Sequence, residues 1–83
     1  MNNTLVDKKM VDSIKEMLNA GERLGGRIDE VYENNAGKLT LWGLFREIIV
    51  KTSERQFKSE IHKRNRLSQL SNMLLNYALI ESA

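Results

Sequence analysis

The sequence predicts an all-α protein, a small helical bundle of three to four helices forming one domain over residues 1–83. Three observations carry this. The chain contains no proline, the residue that most disrupts helix interiors. Its apolar residues recur at spacings of three and four along most of its length, the period of a helix face. Asn34-Asn35-Ala36-Gly37-Lys38 marks a turn, because Asn and Gly tolerate the left-handed conformation in which helices end. A chain of 83 residues buries only roughly 60% of its unfolded surface, so its core is thin and pairing into a homodimer is a common remedy.

The first helix is predicted to begin after Asp7, with Asp7 or Thr4 as its cap. Met10, Ile14, Met17, Gly21, Leu24, Ile28 and Val31 follow at alternating four- and three-residue steps. That is heptad spacing, which keeps one seam facing a neighbouring helix. Gly21, Gly25 and Gly26 interrupt the seam, each costing about 1 kcal/mol against alanine in a helix interior. Two readings follow: a helix–turn–helix broken at Asn19-Ala20-Gly21, the preferred one, or a single weakened helix. The glycines stand for flexibility or, less commonly, for close approach of another helix. The helix before the turn is expected to stop between Glu33 and Asn35.

A central helix is predicted from Thr40 to about Lys51. Thr40 has the hydroxyl of an N-cap, and Leu39 and Leu44 stand where two apolar side chains staple a helix entry. Leu41, Leu44, Phe45 and Ile48 share one face. With Trp42, Ile49 and Val50 also apolar, water is expected on little more than the Arg46/Glu47/Lys51 side, so the helix must be covered by others or by a partner.

This helix does not simply run on. At 100° per residue, Phe57 and Ile61 would point nearly opposite to Leu41, Phe45 and Ile48. Ser53-Glu54-Arg55-Gln56 has the form of a capping box, so a new helix is expected from Glu54 to Ile80. Phe57 and Ile61 define one side of it, and Leu67, Leu70, Leu74, Tyr77 and Ala78 another. That change of phase predicts a kink or a short break within Lys63-Arg64-Asn65-Arg66; the alternative is a straight helix that contacts two different neighbours.

No catalytic constellation is apparent, and the reading is of a protein that is not an enzyme. His62 is the single histidine, no cysteine is present to act as nucleophile or thiolate ligand, and Glu60 does not share a helix face with His62. The absence of cysteine also fits a reducing compartment. The carboxylate pairs Asp12/Glu16 and Asp29/Glu33 lack a third ligand and read as solvated, so no metal is expected. Gly25-Gly26 follows no strand and lacks the Lys-Ser/Thr ending of a phosphate loop. No cofactor, small-molecule substrate or membrane association is expected, and a soluble cytoplasmic protein is the default.

Charge is uneven. Lys51 to Arg66 carries six Lys/Arg against Glu54 and Glu60, a net of +4, which leaves the rest of the chain at −2. On one helix Lys51, Arg55, Lys58, His62 and Arg66 fall within about 80°, a basic stripe with Lys63 beside it that can track phosphates. Its plain alternative is a solvated face. Phe57 lies off the stripe, so stacking on bases is not provided for. The candidate nucleic-acid residues are therefore Lys51, Arg55, Lys58, His62, Lys63 and Arg66. The candidate protein interface is the seam Met17, Leu24, Ile28 and Val31 with Trp42 and Phe45, since the chain has more apolar faces than one short bundle obviously buries.

Glu22-Arg23-Leu24-Gly25-Gly26-Arg27-Ile28-Asp29-Glu30-Val31, then Leu39-Thr40, Leu44 and Ile48, resembles the small two-component-system connector proteins of the AriR/YcgZ biofilm-modulation type. The shared pattern is an acidic residue, Leu-Gly, an apolar pair at the next turns, a Gly/Asn loop and a Leu-Ser/Thr helix start. It covers about Glu22 to Val50. The resemblance implies a helical homodimer that tunes a regulatory pathway by binding a signalling protein, with DNA association alongside. The function expected is a small regulatory adaptor acting through helix-mediated protein–protein contacts on a signalling or transcriptional regulator. The alternatives are a nucleic-acid-binding regulator using the Lys51–Arg66 stripe, and a chaperone or assembly factor of a secretion system or phage.

Overall fold

Three of the four helices start at a side-chain acceptor, Asp7, Thr40 and Ser59, while Leu24 ahead of the second helix offers none. In the computed structural model, which describes residues 4–18 and 24–82, four helices follow one another: α1 (Lys8–Met17), α2 (Gly25–Asn34), α3 (Leu41–Ser53) and α4 (Glu60–Ser82). Asp7 caps α1, its carboxylate accepting from the Met10 backbone N–H at 2.9 Å. α1 and α2 are separate helices, as the helix–turn–helix reading expects; the break itself, at Asn19-Ala20-Gly21, lies outside the described residues. A side chain at Gly26 would meet nothing within 4 Å, and one at Gly25 would make ordinary contact with the Lys15 stem at 3.5 Å. Neither glycine therefore serves close approach of a helix.

Beyond α2 the turn holds Gly37 at φ 77°, the left-handed conformation expected of it, and the Asn35 side-chain amide donates to the Val31 carbonyl at 2.8 Å. Thr40 then caps α3, its hydroxyl accepting from the Gly43 N–H at 3.1 Å. The N-terminal segment returns to this point. Val6 N–H donates to the Leu39 carbonyl and Leu41 N–H to the Thr4 carbonyl, both at 2.8 Å, so that Leu5 and Thr40 form one antiparallel bridge.

The core is one cluster drawn from all four helices. Val11 and Ile14 come from α1, Ile28 and Val31 from α2, Leu41, Leu44, Phe45 and Ile48 from α3, and Leu70, Leu74 and Ala78 from α4. Leu24 and Leu39, just ahead of α2 and α3, are buried with them. Thr52 is the one fully buried polar side chain among the described residues, and its hydroxyl donates to the Ile48 carbonyl one turn back at 2.8 Å. Two ion pairs tie neighbouring helices: Lys15–Asp29 at 2.8 Å joins α1 to α2, and Arg27–Glu47 joins α2 to α3.

Two expectations about the last helix are corrected. It starts at Glu60, not Glu54, with the Ser59 hydroxyl accepting from the His62 N–H at 3.1 Å. Ser53 does not act as its cap: the hydroxyl donates to the Val50 carbonyl in the last turn of α3. Residues 54–59 leave the helix, which frees the chain to turn so that Leu70, Leu74 and Ala78 face the core. The short break at Lys63–Arg66 is also absent, α4 running unbroken from Glu60 to Ser82. The apparent change of phase came from grouping Phe57, which lies in the connection, with Ile61, which is 69% exposed. Neither belongs to the core face. Among the described residues no helix is long and apolar enough to cross a membrane.

The Lys15–Asp29 pair gives a pH signature. The hydrogen bond from Lys15, first, holds the Asp29 carboxyl below its ordinary range, and the same bond holds Lys15 above its own. A depressed carboxyl contributes stability that is complete above the unfolded value and lost as pH falls through the folded one. Lys15 behaves oppositely, its share disappearing only as pH rises past the ordinary lysine range. Asp29→Asn is expected to flatten the decline of Tm below about pH 4 while leaving Tm near pH 7 lowered modestly, because both side chains are about a third exposed (33% and 37%) and screened by solvent. Thermal melts of the two proteins across pH 2.5 to 7 check this; parallel acid limbs would contradict it.

Candidate protein-docking face

α3 is apolar almost all round, so once its core face is satisfied, further apolar side chains are left over. Leu41, Leu44, Phe45 and Ile48 point inward. On the outer side Trp42 is 53% exposed and Val50 47%, with Ile49 half-buried beside them. The wet side of this helix is therefore wider than the expected Arg46/Glu47/Lys51 strip. Indole is the largest apolar side chain, and leaving half of one in water is costly unless something covers it.

The Trp42 and Phe45 rings sit 6.5 Å apart at 59°, a tilted pair in which the buried Phe45 props the exposed indole. Together with Arg46, Ile49 and Val50 they line an open, almost wholly apolar depression of about 260 Å³. Its five lining residues come from two and a half turns of a single helix. Charge around it is partly spent: Glu47 is paired with Arg27, and Lys51 with Glu54 at 3.6 Å. Arg46 is exposed and has no ion pair among the described residues.

Of the residues expected to form an interface, Leu24, Ile28, Val31 and Phe45 lie in the core of the single chain, and Met17 is half-buried at the end of α1. Gly21 of the same seam lies outside the described residues. Trp42 alone of the six presents a large apolar surface to solvent. Arg46, Ile49 and Val50 were not among the expected contacts. The signal for them was present, since a helix apolar on every side must expose whatever its neighbours do not cover.

The basic stripe is not one helical face. Lys51 ends α3, Arg55 and Lys58 lie in the connection, and His62, Lys63 and Arg66 lie on α4. The alignment within about 80° assumed one helix through all of them, and the chain leaves the helix between Ser53 and Glu60. The Arg55 guanidinium stacks over Phe57 at 4.9 Å, and Arg66 donates to the Gln69 side-chain carbonyl at 2.7 Å. The acidic pairs are also engaged elsewhere: Asp12 pairs with Lys8 at 3.4 Å and Asp29 with Lys15. Among the described residues no three His, Asp or Glu side chains come together as a metal site would need.

The site thus consists of a half-exposed tryptophan, a shallow apolar depression and one unpaired arginine. No protein-family model, no curated protein and no solved structure matches the chain.

Proposed function

We propose that the protein is a small, non-enzymatic, cytoplasmic adaptor that binds a signalling or transcriptional regulator through the Trp42 face of α3. The observation that supports this is Trp42 itself, half in water beside an apolar depression. Tryptophan anchors of this kind carry a large share of the energy of protein interfaces. The depression, about 260 Å³ and open, falls below the roughly 300–1,000 Å³ of enclosed small-molecule sites and suits the side chains of a protein partner.

The experiment compares capture from native lysate by wild type, Trp42→Ala and Arg55→Ala/Lys58→Ala. The expected result is a partner whose affinity falls about 30-fold or more in Trp42→Ala, with helicity unchanged, and is kept by the double variant. Retention by Trp42→Ala, with loss of a nucleic acid in the double variant, would instead favour the duplex-binding reading based on Lys51, Arg55, Lys58, His62, Lys63 and Arg66.

The adaptor acts as a homodimer, joined by the outer face of α4. There Ile61, Asn65, Ser68, Asn72, Leu75 and Leu79 recur at heptad steps, and all six are exposed. The seam is short and half polar, so pairing is weak. Sedimentation equilibrium up to about 500 µM is expected to show mass rising above 9.6 kDa, and Leu79→Asp to abolish the rise without loss of helicity. A fixed monomer mass over that range would rule the dimer out.

A further inference from the structure

The partner's docking element can be read from the charge left over on the Trp42 face, an inference that rests on the adaptor reading above. We infer that the occupant is an amphipathic helix that sets two apolar side chains against Trp42, Ile49 and Val50 and a carboxylate against Arg46.

Shape selects a helix. The depression is made by one helix, its lining residues spaced at three and four, and such a surface of ridges receives the ridges of another helix. Strand addition needs an open sheet edge, and the only pairing among the described residues is the isolated Leu5–Thr40 bridge. A proline-rich segment needs a groove with several exposed rings, whereas Phe45 is 5% exposed and leaves Trp42 as the single available ring.

Charge selects the sign. On this stretch of α3 the other ionic groups are satisfied inside the chain, Glu47 by Arg27 and Lys51 by Glu54. Arg46 is left facing solvent at the edge of an apolar surface. A covering apolar partner would strip water from a guanidinium with nothing to replace it, at a cost that a carboxylate on the partner removes. A basic helix would meet like charge at the same point. Arg46 therefore discriminates between apolar helices that would otherwise fit equally well.

Trp42 is the chain's only tryptophan, so its fluorescence reports occupancy of the site directly. The probes are three synthetic peptides of equal length: a helical peptide with Leu at i and i+4 flanked by Glu, the same peptide with Lys for Glu, and a proline-rich peptide. Titrated into the wild-type protein at low salt, the Glu peptide is expected to blue-shift the emission and bind about five- to tenfold more tightly than the Lys peptide. That ratio should shrink toward one at about 0.5 M salt. Arg46→Ala should erase the preference and Arg46→Glu should reverse it; the position is exposed, and circular dichroism verifies the fold. Equal binding of the two helical peptides with a full blue shift would overturn the acidic partner and leave the docking face standing. A shift given by the proline-rich peptide alone would overturn the helix. Silence of Trp42 to all three at millimolar peptide would overturn the docking face itself.

Discussion

Ile28→Asp is expected to leave no cooperatively folded protein at 25 °C. Ile28 is 1% exposed, on the α2 face that packs into the cluster shared by all four helices. A carboxylate there has no cationic partner, because Lys15 and Arg27, the cations that pair across this helix's surfaces, are already engaged with Asp29 and Glu47. A buried charge without a partner costs about 3–5 kcal/mol or more. A domain this small has a total stability toward the low end of about 5–15 kcal/mol. The cost therefore consumes most of what there is. Far-UV circular dichroism should show the helical signal lost and no melting transition, while Ile28→Val should lose only about 0.5–1.5 kcal/mol and melt cooperatively. If Ile28→Asp melted within a few degrees of wild type, the placement of α2 against α3 would be wrong.

Leu44→Ala is the second large effect. Leu44 is fully buried at the first full turn of α3, within the core cluster to which all four helices contribute. Removing its isobutyl group forfeits burial and leaves a cavity, together about 2–5 kcal/mol. At roughly 4–8 °C per kcal/mol for a domain of this length, Tm should fall by about 8–40 °C. Val50→Ala, on the same helix but 47% exposed, should cost less than about 1 kcal/mol. The contrast between the two is the measurement: similar losses at both positions would mean that α3 is rotated about its axis.

What the sequence made legible was local. Asp7, Thr40 and Gly37 act within three residues of themselves, so cap and turn chemistry identify them without knowledge of the rest of the chain. The faces Leu41/Leu44/Ile48 and Leu70/Leu74/Ala78 were legible for the same reason, as periodicity inside one helix. The start of α4 was not. Ser53-Glu54-Arg55-Gln56 has the better capping-box form, yet the Ser53 hydroxyl back-bonds within α3 and Ser59 does the capping. Two serines competed, and which one wins depends on how far the chain must travel to bring Leu70 over the core. The docking face was hidden for a related reason. α3 is apolar in nearly every direction, so its sequence states that some side is uncovered without stating which. The return path of α4 decides that, and it leaves Trp42, Arg46 and Val50 outside.

The bridge between residues 4–6 and 39–41 bears on the order in which the protein assembles. Its two hydrogen bonds close a loop of more than thirty residues that contains the whole of α1 and α2. Closing so long a loop costs entropy before any contact rewards it, whereas each helix gains its bonds from residues a turn away. The clasp is thus expected to form late, after α1 has packed on α2 and α2 on α3. In reverse it is the first to open. The amide protons of Val6 and Leu41 should then exchange with solvent through local openings well before those of Leu44 and Ile48, which are released only when the whole core comes apart.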